Sequence, residues 1–436
     1  MSDQPARAKE DLFERAERAL AAAGADPAEP RRYGFVPGRV ELLGKHTDYA
    51  GGRSLLVAVE RGICMVGARR SDAMIVVTDA QAGETVRTAI DPDLEVRSGH
   101  WSAYPLTVAR RIARDFPGRL GGIDLAFAAD LPVAAGLSSS SALVTATWLL
   151  CDALRGIGSS GEFRRAIPSR ETLADYLGAV ENGWPFGALR EDHGVGTMGG
   201  AEDHTAMLCC RPGRVSRYAF RPVHAEGDAP MPAGHLLAIA VSGIRAEKTG
   251  AAKGAYNRAA TVAGRLFDLW RSGTGREDPT LGAALVSVPD AVERLREIVR
   301  REPAGTDPPP ELLLARLEQF AEESEALIPA VFDCFLHGNI AGLGPLVARS
   351  QAGAVRALEN QIPETVHLVD SALAKGAVAA SAFGAGFGGS VWALVREEEG
   401  ERFVARWLRD YRQAFPHAAG EANAFLTGAG PAALVW

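Results

Sequence analysis

Four consecutive serines, at positions 138–141, follow a proline and a glycine and lead directly into an apolar stretch. Gly136 has no Cβ, so its backbone can adopt a positive φ and approach a ligand closely. The serines fall at the expected start of a helix, where the first N–H groups lack partners and the helix dipole is positive. This segment is therefore a candidate phosphate-binding loop. The alternative interpretation is a serine-rich N-cap on an ordinary buried helix.

A second polar segment, residues 37–52, places charged side chains between glycines. Arg39, Lys45 and His46 supply donors that could hold a polyhydroxylated ligand. The Asp48 carboxylate would accept hydrogen bonds from its hydroxyl groups. The alternative is a charged surface hairpin, although glycines at this density are typical of a functional loop.

Two Glu-Asp-His triplets, at positions 191–193 and 202–204, could supply a base or a metal ligand. Neither has the spacing of a zinc site, and His193 and His204 are otherwise predicted as polar loop residues. The glycine-rich segment 384–390 is similar to a phosphate-binding loop but lacks the P-loop lysine, so a turn between two strands is the alternative.

Composition narrows the classes of function. The hydrophobic fraction of 47% is ordinary for a globular protein, and the net charge of −7 argues against a nucleic-acid partner or an anionic membrane surface. The five cysteines are scattered without zinc-ligand spacing, which predicts reduced thiols in a cytoplasmic protein without a signal peptide. The uncharged segment 378–395 is interrupted by glycines and is predicted as two buried strands rather than a membrane helix.

Hydrophobic periodicity predicts a mixed α/β fold of the α+β type, because strands and helices cluster rather than alternate strictly. The predicted helices are 11–25, 101–115, 142–154, 171–182, 251–272, 291–301, 311–323 and 350–360. The predicted strands are 39–43, 55–59, 64–68, 74–78, 123–129, 207–210, 215–220 and 235–241. The proline-containing segment 223–234 is predicted as a domain junction.

Taken in order, segments 37–49, 131–140, 199–203 and 384–390 resemble the GHMP small-molecule kinases, and the His-Thr-Asp-Tyr of the first segment resembles the galactokinase branch. The resemblance implies a two-domain GHMP kinase fold, with domains at 1–222 and 235–436 and the active site in the cleft between them. It implies an ATP-dependent kinase that phosphorylates the C1 hydroxyl of galactose or a close relative, with ATP and Mg²⁺ required and no nucleic acid or membrane as partner.

The resemblance also assigns site residues. Asp203 would face the C1 hydroxyl as base or orienting carboxylate, and Arg39 would lie beside it. Mg²⁺ would be held by Ser140 and Glu181. The ATP phosphates would contact Ala134, Ala135, Gly136, Leu137, Ser138, Ser139 and Ser140. The sugar would contact Lys45, His46, Thr47, Asp48, Tyr256 and Gly386.

This chain departs from the galactokinase pattern at two places. Glu41 stands where galactokinases have Asn, and Lys45 stands where they have Glu. A lysine there would favour an anionic group, so a uronic acid 1-kinase is an alternative function; in the other interpretation Glu41 and Lys45 neutralise each other and galactose still binds. A longer spacing between Glu181 and Asp203 makes Asp192 a competing catalytic residue, although the preceding glycine pair favours Asp203. A sugar- and ATP-binding sensor without catalysis is the alternative from a different class.

Overall fold

The structure is a computed structural model that describes residues 3–97, 99–132, 135–245 and 253–436. The described part confirms the mixed α/β class. The strands are β1 (Arg32–Leu43), β2 (Arg53–Arg69), β3 (Met74–Asp79), β4 (Glu84–Ala89), β5 (Ile123–Ala129), β6 (Arg214–Ala219), β7 (His224–Pro230), β8 (His235–Val241), β9 (Ala379–Phe383), β10 (Ser390–Arg396), β11 (Asn423–Thr427) and β12 (Leu434–Val435). The helices are α1 (Asp3–Ala22), α2 (Ala103–Asp115), α3 (Ser139–Arg155), α4 (Gly161–Ala166), α5 (Arg170–Asn182), α6 (Glu202–Cys209), α7 (Lys253–Thr274), α8 (Leu281–Val286), α9 (Ala291–Arg300), α10 (Pro310–Ala321), α11 (Ile328–Leu336), α12 (Leu343–Ala357), α13 (Pro363–Ala374) and α14 (Gly400–Ala414).

The strands form two sheets. The larger one has eight strands, in the order β12-β1-β2-β5-β3-β4, with β6 paired to β2 and β7 paired to β6. Within it, β3 and β5 are parallel and the other pairs are antiparallel. The smaller sheet has four antiparallel strands in the order β11-β8-β10-β9. Strands β9 and β10 confirm that the uncharged segment 378–395 is a strand pair, and no helix in the described ranges has the length and apolar character to cross a membrane.

Helix α3, which follows the serine run, packs against β1 and β2. Its sequence is apolar on nearly every side, as expected for a helix enclosed by the core. The helix approaches the sheet so closely that an added Cβ on Gly34 of β1 would lie 2.4 Å from Leu150 Cδ2. This packing fixes where the first turn of α3, with its serines, stands relative to β1.

Two irregularities in the β1–β2 pairing shape the part of β1 that carries charged side chains. The register shifts between Pro37 and Arg39, and again between Glu41 and Leu43. A β-bulge bends its strand and re-aims the side chains around it, and bulges are frequent next to active sites. The two charged residues of this stretch, Arg39 and Glu41, both turn into the protein and are buried.

Three sequence predictions need correction. The two strands predicted at 55–59 and 64–68 are one strand, β2, because β1 and β5 pair with it across the intervening residues. The predicted strand 207–210 overlaps the last three residues of helix α6, which packs against α5. The predicted junction 223–234 contains strand β7, since it pairs with β6. The domain bounds 1–222 and 235–436 stay a prediction, although β12 at the end of the chain pairs with β1 in the first sheet.

Candidate active site

An ion pair joins Arg39 of β1 to Asp203 of α6. Arg39 Nη2 lies 2.7 Å from Asp203 Oδ1, and Arg39 Nε donates to the same oxygen at 2.8 Å. The other oxygen, Oδ2, accepts a hydrogen bond from the Ser141 hydroxyl at 3.1 Å. Asp203 also stands in the first turn of α6, where the helix dipole favours a carboxylate. The carboxylate is therefore oriented by side chains from two other elements.

Arg39 links this carboxylate to the candidate phosphate loop. Burial alone would lower the pKa of Arg39, but the carboxylates of Asp203, Glu202 and Glu41 outweigh burial and raise it. The guanidinium is therefore a fixed positive charge. Its Nη1 donates to the Gly136 carbonyl, so one side chain contacts both the carboxylate and the loop.

A polar cleft opens beside the Arg39–Asp203 pair. Five predicted site residues line it: Arg39, His46, Asp48, Glu181 and Asp203. Gly384 and Ala385, from the glycine-rich segment 384–390, also line it. The sequence does not assign the remaining lining residues individually: Glu41, Tyr49, Ser141, Asn182, Thr197, Gly199, Gly200 and Glu202. Five carboxyl groups thus share the cleft with one guanidinium among the described lining residues.

The candidate phosphate loop is tied to the glycine-rich segment 384–390, because the Ser390 hydroxyl donates to the Ala135 carbonyl. Gly136 has a φ of 77°, and Ser138 caps α3 with a φ of 57°. The buried Ser138 hydroxyl makes no side-chain cap and has no hydrogen-bond partner among the described residues. A plain N-cap would satisfy that hydroxyl, so the geometry favours a ligand loop over the capping alternative.

The other predicted loop residues take different positions. Leu137 is buried, and its carbonyl accepts from the Arg39 N–H at 3.4 Å. Ser139 and Ser140 are half-buried in the first turn of α3, and it is Ser141 that reaches the cleft. Ala134 lies outside the described residues, as does the side chain of Tyr256.

The loop that carries His46 is held from the C-terminal half of the chain. Arg316 of α10 donates to the His46 carbonyl and to the Tyr49 hydroxyl. The His46 ring lies with Nδ1 3.1 Å from the Tyr49 hydroxyl and Nε2 3.2 Å from the Ala385 carbonyl. Burial raises the pKa of Tyr49 to about 12, so its hydroxyl keeps its proton at neutral pH. These contacts fix the imidazole at the cleft wall.

Three predicted sugar-binding residues do not line the cleft in the described structure: Lys45, Thr47 and Gly386. The Thr47 hydroxyl lies 2.9 Å from the Gly44 carbonyl, which closes the turn. Gly386 has a φ of 82°, and an added Cβ there would lie 2.4 Å from the Asn360 carbonyl oxygen. Thr47 and Gly386 therefore shape the loops that border the cleft.

Lys45 is 1% exposed and points into the interior. Its ammonium donates to the hydroxyls of Ser350 at 3.2 Å and Ser381 at 2.8 Å. Glu323, in the π-helical turn Glu322–Leu327 that follows α10, accepts from the Ser350 hydroxyl and from the N–H groups of Gly44 and Lys45. The sequence predicts a direct contact between Lys45 and the substrate. This geometry does not favour that contact.

The Glu181 carboxylate contacts His204 of the second Glu-Asp-His triplet. Its Oε2 lies 3.0 Å from His204 Nε2, and His204 Nδ1 lies 3.2 Å from the Thr145 hydroxyl. The prediction of His204 as a loop residue is wrong, since it is buried in α6. No group of three His, Cys, Asp or Glu side chains forms a metal cluster within the described ranges.

The competing residue Asp192 has a different place. Its Oδ2 lies 2.8 Å from Arg110 Nε and its Oδ1 lies 2.9 Å from Arg114 Nη1. Both arginines belong to α2, so Asp192 anchors the longer segment between α5 and α6 to that helix. It does not line the cleft, and the geometry favours Asp203 as the reactive carboxylate.

A spacing in α3 could have identified Ser141 from the sequence. Ser141 and Thr145 are one helical turn apart, so their side chains lie on one face. They contact the consecutive residues Asp203 and His204 of α6. The assignment of Ser140 to Mg²⁺ concerns a different role and stays a prediction.

Known proteins are similar to this chain in sequence and in fold. A model of the galactokinase galactose-binding signature matches residues 23–69, and models of the N-terminal and C-terminal GHMP kinase domains match residues 103–183 and 331–413. A galactokinase of Chloroflexus aggregans is 28% identical over 386 residues, which is 88% of each chain. A galactokinase of Streptomyces coelicolor is 28% identical over 88% of this chain and 89% of its own. The structure of Lactococcus lactis galactokinase complexed with galactose superposes with a TM-score of 0.78, at 20% identity, over 96% of this chain and 98% of that one.

The N-terminal and C-terminal domain matches define a kinase of the GHMP class, and the fold agrees with them. The sugar-binding signature then places the chain more narrowly, since that signature and the relatives are galactokinases. The chain belongs to the galactokinase-like branch of the GHMP kinase superfamily.

Proposed function

We propose that this protein transfers the γ-phosphoryl group of ATP to the C1 hydroxyl of galactose or a closely related hexose. The observation that carries the proposal is the Arg39–Asp203 pair, because it joins a carboxylate in a polar cleft to a loop suited to phosphates. The galactose-binding signature at residues 23–69 supports galactose as the sugar.

In the proposed reaction, the C1 oxygen attacks the γ-phosphorus and the bond to the β–γ bridging oxygen breaks, so that ADP leaves. Asp203 takes the hydroxyl proton or orients the hydroxyl, and Arg39 offsets the negative charge on the transferred group. Asp48 and His46, which line the same cleft, hold the sugar. Positioning and charge neutralisation carry most of the work in phosphoryl transfer.

The residues present fit a Mg²⁺ ion bound together with ATP. Mg²⁺ is usually held by one or two carboxylates plus phosphate oxygens and waters. Glu181 supplies a carboxylate at the cleft wall, and the serines at the start of α3, with Ser140 as the sequence-based assignment, supply hydroxyl oxygens. When bound, the ion neutralises phosphate charge and orients the γ-phosphoryl group.

The two alternatives gain no support. A uronic acid would bring its carboxylate into a cleft with five carboxyl groups, while Lys45 is turned away from it. A sensor without catalysis has no need of an arginine and a serine hydroxyl that orient one carboxylate. Galactose or a close neutral relative therefore remains the substrate that the site fits.

The test measures ADP release by the purified chain with ATP and Mg²⁺, using galactose and, as a matched control, 1-deoxygalactose. The expected result is turnover of galactose to a phosphate ester at C1, detected by ³¹P NMR, and none with the 1-deoxy sugar. ADP release with 1-deoxygalactose would remove C1 as the acceptor. Absence of turnover with every hexose, in a protein that still binds ATP, would favour the sensor.

A further inference from the structure

Glu41 lines the cleft with one carboxyl oxygen that has no hydrogen-bond partner among the described residues. Glu41 lies on β1 between the two register shifts and is 3% exposed. Its Oε1 is buried and has no hydrogen-bond partner among the described residues. Protein interiors rarely leave a polar oxygen in this state, because its lost hydration is not replaced. The oxygen is therefore available to a ligand in the cleft.

The charges around Glu41 restrict what that ligand can be. Arg39, the one guanidinium of the described lining, already binds Asp203 and the Gly136 carbonyl. The Lys45 ammonium does not line the cleft and donates to the hydroxyls of Ser350 and Ser381. A hydroxyl group, which donates a hydrogen bond without adding negative charge, suits the Glu41 carboxyl, whereas an anionic substituent has no counter-ion left.

We propose that Glu41 is a specificity-determining residue of the sugar site: its unpaired carboxyl oxygen accepts a hydrogen bond from one ring hydroxyl of the hexose, and its acidity excludes anionic sugars. The proposal rests on the proposed hexose kinase activity. In this proposal Glu41 of β1 recognises the sugar, and Lys45 has the separate role of stabilising the loop.

Because Glu41 is a buried acid in a crowded site, the pKa of its carboxyl is raised to about 7, first by burial and then by Glu323 and Asp48, against the opposing charges of Lys45 and Arg39. The group therefore stands near the balance between its two forms at neutral pH. An anionic substituent on the sugar would disfavour the ionised form of the Glu41 carboxyl. A hydroxyl group that donates a hydrogen bond would stabilise the ionised form.

The test pairs Glu41→Gln with a series of substrates: galactose and its 2-, 3-, 4- and 6-deoxy derivatives. Glu318→Gln, which changes an exposed glutamate of α10, is the matched control. Glu41→Gln should lower kcat/KM for galactose by about 10- to 100-fold, since it replaces an acceptor of a charge-assisted hydrogen bond. For one deoxy sugar, which lacks the partner hydroxyl, the same substitution should change kcat/KM by less than about threefold.

The ratio between substrates is measured on one folded enzyme, so partial misfolding of the variant cancels. Equal losses for galactose and all four deoxy sugars would overturn the proposal, because no hydroxyl would then be coupled to Glu41. For the wild type, kcat/KM for galacturonate should be at least roughly a hundredfold below kcat/KM for galactose. Comparable turnover of the two sugars would overturn the exclusion of anions. Failure of the underlying kinase activity is distinct, since the wild type would then release no ADP with any sugar.

Discussion

Arg39 of β1 holds Asp203, 164 positions later on α6, through two nitrogens that contact the same carboxylate oxygen. The contact leaves Oδ2 of Asp203 to the Ser141 hydroxyl. Three elements thus converge on one carboxylate: a bulged strand, the first turn of α6 and the first turn of α3. The chemistry of the cleft depends on that convergence.

The first prediction concerns Asp203. Asp203→Asn keeps the shape of the side chain but removes its charge and its ability to take a proton. We expect kcat to fall by about 10²- to 10⁴-fold, the usual contribution of one proton-transfer group. ATP affinity, measured by calorimetry, should change far less. A kcat near that of the wild type would show that a different carboxylate is responsible.

Asp192→Asn is the informative counterpart, because Asp192 belongs to the same kind of triplet. Its carboxylate bonds Arg110 and Arg114 of α2 outside the cleft. We expect the free energy of unfolding to fall by roughly 1–3 kcal/mol, since a buried arginine loses its charged partner. The kcat of the folded enzyme should stay within about twofold of the wild type; a loss as large as that of Asp203→Asn would reverse the two assignments.

The sequence predicts the fold class and most helices and strands, because their periodicity is local. It assigns Asp203, Arg39 and Asp48 to one site through the order of the motifs. Its assignment of Lys45 to the sugar stays a prediction, because an ammonium next to a sugar and one between two serines look alike in sequence. Only the packing of Ser350 and Ser381, more than 300 positions away, distinguishes them.

The same limit applies to the serine that contacts Asp203. Four adjacent serines are chemically equivalent in sequence, and the helix rotation that turns one of them to Asp203 depends on how α3 packs on β1. Strand β7 was missed because its pairing with β6 outweighs a sequence poor in β-branched residues.

The next prediction concerns Gly200, which packs closely against the loop that carries Asp48. An added Cβ there would lie 2.3 Å from Asp48 Oδ2 and 2.9 Å from the Tyr49 nitrogen, so the loop must shift. Gly200→Ala should raise KM for the sugar about tenfold or more, since misplacing a positioning group is costly. Gly420→Ala, where an added Cβ meets no atom within 4 Å, should leave KM unchanged. Equal KM values in the two variants would mean that the wall adjusts freely.

Lys45 offers a separate test of its structural role. Lys45→Met keeps the length and removes the ammonium that bonds Ser350 and Ser381. We expect a loss of roughly 1–3 kcal/mol in the free energy of unfolding, because two buried hydroxyls lose their donor and nearby carboxylates lose a cation. The ranking of galactose over galacturonate should not change. A shift of that ranking toward galacturonate or away from it would return Lys45 to the sugar site.

The final prediction uses the pH dependence of stability. Burial, reinforced by Glu323 and Asp48 and opposed by Lys45 and Arg39, raises the pKa of Glu41 from 4.5 to about 7. Between these values the folded protein keeps a proton that the unfolded chain releases, so the free energy of unfolding must fall as pH rises. Glu41→Gln removes this contribution. The stability difference, wild type minus variant, should therefore fall by roughly 1–3 kcal/mol between pH 5 and pH 8, measured by denaturant unfolding without sugar. Glu318→Gln, at an exposed position, should give a difference independent of pH over the same range. A constant or rising difference for Glu41→Gln would mean that the Glu41 carboxyl is already ionised and paired in the empty cleft.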